Sequence, residues 1–105
     1  TEGKMTGLFS MVPGAVDLSS VTEGGISEEM SATTAAGSAA LTGVLPMAPD
    51  ADSVEFAAAL NAAGGAYLAT ASEHAGQRAA FSGAQGLASV TNVAADAASA
   101  AASAL

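Results

Sequence analysis

The sequence contains no cysteine and no tryptophan, and it holds one histidine, one tyrosine and three phenylalanines. Without cysteine there is neither a disulfide framework nor a thiolate zinc site. Lys4 and Arg78 are the only basic residues against ten acidic ones, giving a formal net charge of −8. Binding nucleic acid requires clustered Lys and Arg to displace counterions, so that class is excluded. Docking on anionic lipid is excluded for the same reason. A catalytic histidine needs a nucleophile and an orienting acid within reach; Thr70 lies one turn before His74 and is placed to hydrogen-bond to it, but Gln77 and Arg78 follow on that face and no acid is placed to orient the ring. Glu28, Glu29, Asp50 and Asp52 are the acidic clusters. Asp50-x-Asp52 supplies two of the several oxygens a calcium loop needs, so it reads as a helix cap. The glycine pairs follow no strand and fit no phosphate-cradling pattern. No enzyme activity, cofactor, metal site or small-molecule substrate is expected.

What is present is alanine. It fills 29 of 105 positions, with 12 glycines, so the 50 % hydrophobic content is mostly methyl groups. Such a chain buries little apolar surface per residue, and burial against a partner is the natural compensation. No secretory signal peptide is expected from the start of the chain, which lacks a basic segment before an apolar one. Residues 1–12 have no periodic pattern and read as a leader, the first four as a cloning remnant. No strand alternation is visible.

The three prolines punctuate the remainder. Pro13 suits the start of a helix, and Pro46 and Pro49 end it, with Asp50 or Asp52 capping the next. Between them Leu18, Thr22, Ile26, Met30, Thr33, Gly37, Leu41 and Val44 recur at steps of three and four. This predicts a helix over about 14–44, with Gly24-Gly25 as a weak point. A second stripe of Phe56, Leu60, Ala63, Tyr67, Ala71, His74, Arg78 and Phe81 predicts a helix over about 53–86 whose large side chains are buried. Small residues such as Gly64-Gly65 let another helix approach closely. Gly83 and Gly86 weaken the continuation, and residues 88–105 read as a flexible Ala/Ser-rich tail. The expected fold is all-α, an antiparallel two-helix hairpin that completes a four-helix bundle with a partner chain. Tyr67 and Phe81 are either anchors at a partner surface or filling between the helices.

Within residues 11–96, Val12-Pro13-Gly14, the proline-containing stretch from Leu41 to Ser53 and the Ala-rich helix with Phe56 that follows it together resemble the mycobacterial PE family. Val12-Pro13-Gly14 stands where that family has its Pro-Glu. The segment from Leu41 to Ser53, with Val44-Leu45-Pro46-Met47-Ala48-Pro49-Asp50 at its centre, is similar to the family's interhelical loop. An Ala-rich helix containing phenylalanine follows. Aligning the loop and counting forward places Asn92-Val93-Ala94-Ala95-Asp96 where the family often carries a Tyr-x-x-x-Asp/Glu secretion signal; here the acid matches and the tyrosine does not. The resemblance implies a heterodimer with a PPE-like protein, exported through a type VII (ESX) secretion system to the cell envelope or outside. An EspG-type chaperone would act only through the PPE-like partner. The partner-facing residues would be Leu18, Ile26, Met30, Leu41, Phe56, Leu60, Tyr67, His74 and Phe81, with Asn92 and Asp96 as a degenerate export signal. The alternative is a self-associating secreted hairpin similar to the Trp-x-Gly family, whose Trp-x-Gly turn is missing from this loop.

Overall fold

A computed structural model describes residues 3–5 and 9–104. Of the leader expected over 1–12, residues 1, 2 and 6–8 lie outside the described residues. Its remainder contains a short ladder that alternation did not signal: β1 (Gly3–Met5) pairs antiparallel with β2 (Phe9–Met11), with Lys4 opposite Ser10. Beyond it the described chain is helical, comprising α1 (Pro13–Thr42) and α2 (Ala51–Ser103), which pack against each other.

The boundaries have local causes. Pro13 opens α1, where its missing N–H is no loss, and the Val12 carbonyl accepts the first helical bonds from Ala15 N and Val16 N at 3.1 and 3.3 Å. Gly43 follows its end. A Cβ at Gly43 would stand 2.7 Å from the Ala39 carbonyl oxygen, so a larger residue would have to shift the backbone. At the start of α2, Asp50 Oδ1 accepts from the Ser53 amide at 2.8 Å while Ser53 Oγ donates to Asp50 Oδ2 at 3.1 Å. Asp50 is therefore the N-cap, and Asp52 adds a charge that suits the helix dipole in the first turn.

The helix α1 is continuous through Gly24-Gly25, which the sequence marks only as a weak point. One expectation is corrected here. The helix α2 does not stop near residue 86 but runs to Ser103, so the segment expected to be a flexible tail is helical. No proline follows Pro49, and alanine is the strongest helix former, which offsets the roughly 1 kcal/mol that each glycine costs relative to alanine.

The chain divides into two compact units, Ser27–Gln77 and the pair of segments Thr1–Ile26 with Arg78–Leu105. In the first, α1 and α2 run antiparallel, with Ser27 bonded to Ala75 near one end and Leu41 packed on Gly64 near the other. Its buried side chains are Ser27, Ala57 and Ala75. A Cβ at Gly64 would collide with the Leu41 carbonyl, whereas Gly65 faces open space, so one glycine of the pair permits the close approach. In the second unit the helices are again antiparallel. Glu23 meets Arg78, Ser20 meets Ser82, and Ser89 Oγ donates to the Pro13 carbonyl at 3.5 Å. Among the described residues, Ser89 is the one side chain that is almost wholly buried.

The packed positions in sequence are 13, 16, 20, 23, 27, 30, 34, 37, 41 and 44 on the α1 side, and 57, 61, 64, 68, 71, 75, 78, 82, 85 and 89 on α2. All are buried or half-buried except Arg78. Steps alternating between three and four are a heptad seam, here built mainly of Ala, Gly, Ser, Thr and Asn. The expected α2 stripe lies one residue to the N-terminal side of this seam along most of its length. As a result its large side chains turn outward: Phe56 is 64 % exposed, Leu60 41 %, Tyr67 61 % and Phe81 54 %. Contrary to expectation, helix α2 therefore does not bury these four within the chain, and of the two readings of Tyr67 and Phe81, filling between the helices is overturned. Small residues win the seam because interaxial distance is set by the side chains at the contact, and short hydroxyls can reach the facing backbone.

Candidate partner-binding surface

At the loop end of the Ser27–Gln77 unit, the chain leaving α1 folds over the first turns of α2 and leaves an apolar groove of about 450 Å³. Val44, Leu45 and Met47 of the loop form one wall, and Phe56, Ala57 and Leu60 of α2 form the other, with Asp52 and Ser53 at the rim. Pro46 and Pro49 keep the loop from continuing as helix and so hold Leu45 and Met47 in the open. Met47 is 97 % exposed and Leu45 82 %. A flexible thioether on a loop is an adaptable contact with no packing role inside the chain.

Asn61 fixes this wall. Its Oδ1 accepts from the Val44 amide at 2.8 Å and its Nδ2 donates to the Val44 carbonyl at 3.1 Å. Both backbone groups of one loop residue are thus satisfied by a single side-chain amide, which sets the register of the loop on α2. Sequence reasoning missed Asn61. The available signal was a lone polar residue among alanines one step from Leu60.

The other expected contact residues are distributed as follows. Leu18 is 67 % exposed, and His74 is exposed. Ile26, Met30 and Leu41 are half-buried, and Leu41 packs its backbone on Gly64. In the second unit Phe81, Leu87 and Val90 stand outward. There the Arg78 guanidinium donates to Glu23 Oε2 at 2.8 Å across the helices. Gln85 Nε2 donates to Ser19 Oγ at 2.9 Å, while its Oε1 is buried without a hydrogen-bond partner among the described residues. Asn92 Nδ2 donates to the Ala88 carbonyl at 2.7 Å, and Asn92 and Asp96 lie four apart on an exposed stretch of α2. Among the described residues, no helix is long and apolar enough to cross a membrane.

His74 stands exposed on α2, and no group of three His, Asp or Glu side chains that could hold a metal ion converges among the described residues. The arrangement does have large apolar side chains held outward by a backbone packed through small ones. Comparison with protein-family models, with curated proteins and with solved structures returns no match.

Proposed function

We propose that this chain is a non-catalytic, PE-like subunit. It pairs with a PPE-like helical protein, completes a four-helix bundle with it, and leaves the cell through a type VII secretion system for the envelope or the outside. The observation that carries the pairing is the inversion of side-chain size. Phe56, Leu60, Tyr67 and Phe81 are exposed while Ser27, Ala57, Ala75 and Ser89 are buried. Monomeric proteins rarely leave so many large apolar groups in water unless a partner covers them. The loop around Pro46 to Asp50 and the helical pair support the family reading. Export rests on the resemblance and on the exposed Asn92-x-x-x-Asp96 segment. A PPE-like partner would be handed to the machinery by its own EspG-type chaperone, this chain travelling with it.

The test is co-expression with a PPE-like protein. The reading expects a 1:1 complex by size exclusion with light scattering, and both chains in the culture filtrate of a type VII-competent strain. A stable monomer that ignores every PPE-like candidate would contradict it.

A further inference from the structure

We propose that the groove at the loop end receives a basic amphipathic helix of another protein, its apolar face against Leu45, Met47 and Phe56 and its Lys or Arg side chains against Asp52 and Glu55. This deepens the partner-binding reading and rests on it. The groove is mainly apolar and the exposed Asp52 is among its lining residues; Glu55, also exposed, does not line it but follows three residues on, next to Asp52 on the surface of α2. Asp50 is committed to the helix cap, but Asp52 and Glu55 are not used by any hydrogen bond or ion pair among the described residues. An apolar floor bordered by carboxylates selects an occupant with the opposite pattern, since like charge set against like costs affinity and complementary charge speeds encounter. The same charge argues against a second copy of this chain: each carries a net charge of −8, and pairing through the groove would bring the same carboxylates together.

The probe is a synthetic helical peptide of Leu and Lys about 18 residues long, beside a Leu/Glu peptide with the same apolar face. Binding to the full chain is followed by fluorescence anisotropy. Leu45→Ser with Met47→Ser should weaken the Lys peptide about tenfold. Both residues are largely in water, so this variant loses no internal packing. Asp52→Asn with Glu55→Gln should weaken it about fivefold, with the difference shrinking in about 0.5 M salt. Glu28→Gln with Glu29→Gln removes the same charge elsewhere and should change it less than about twofold. Circular dichroism of each variant checks that the helices remain. Equal loss from both charge pairs, equal binding of the Leu/Glu peptide, or a sedimenting dimer of this chain that Met47→Ser dissolves would overturn the proposal. Co-purification with the PPE-like protein is read separately, so failure here leaves that reading standing.

Discussion

The hydroxyl of Ser20 donates to the Ser82 carbonyl at 2.7 Å, and the hydroxyl of Ser82 donates back to the Ser20 carbonyl at 2.6 Å. The pair is reciprocal because the two helix segments run antiparallel, so each serine sees the other's backbone in the same way. Ser27 repeats half of the motif in the other unit, donating to the Ala75 carbonyl at 2.7 Å. A longer side chain at any of these positions would separate the backbones that the hydroxyls bridge.

Ser82→Leu should therefore destabilise the helix pair by about 1–3 kcal/mol despite adding apolar surface. Ser82→Ala should cost only about 1 kcal/mol, the net worth of a hydrogen bond. Urea unfolding followed by the helical circular dichroism signal gives both numbers, and a stabilising Ser82→Leu would count against the close seam.

The glycine pair gives a prediction of opposite signs. Gly64→Ala places a methyl into the Leu41 carbonyl and should destabilise by about 1–3 kcal/mol. Gly65→Ala meets nothing and should stabilise by about 0.5–1 kcal/mol through helix propensity. The same unfolding experiment compares them directly.

Asn61→Ala should release the loop. Two hydrogen bonds to Val44 are lost together, at a cost of about 1–3 kcal/mol if the Val44 groups find no other partner. Hydrogen exchange at the Val44 amide should accelerate, with exchange in the middle of α1 little changed.

Truncation after Val93 removes residues whose described side chains are all exposed. Stability should change by less than about 0.5 kcal/mol and partner binding should persist. If Asn92 and Asp96 carry the export signal, secretion should fall in the truncated chain and, more mildly, in Asp96→Ala. A pull-down and a culture-filtrate blot on the same strains separate the two effects.

The legible parts of the fold were those written in residues with strong local chemistry. Pro13, Pro46 and Pro49 placed the helix ends, and the cap was narrowed to Asp50 or Asp52, because a missing N–H and a short carboxylate act within one turn. The seam was harder to read. Weighting by size selects Phe56, Leu60, Tyr67 and Phe81, whereas packing selected Ala57, Asn61, Leu68 and Ser82, one residue along the same helix. A periodic search cannot separate two stripes one residue apart when alanine flanks both. The role of Asn61 and the contact of Gly64 with Leu41 depend on which residues lie opposite, information that neither helix carries alone. The length of α2 was underestimated because Gly83 and Gly86 were weighed as breaks, although Gly86 lies against Ser20 Oγ, where a Cβ would come to 3.4 Å.

The most direct test of outward apolar groups as a partner surface is to replace Phe56 and Phe81 by alanine, singly, and measure two quantities on each variant. Both are more than half exposed, so the unfolding free energy of the chain should fall by less than about 1 kcal/mol. Affinity for the PPE-like protein, measured by calorimetry, should fall by about 2 kcal/mol or more for at least one of them, as expected of an aromatic anchor. Loss of chain stability with unchanged affinity would contradict the account, because it would return these rings to the interior of the helix pair.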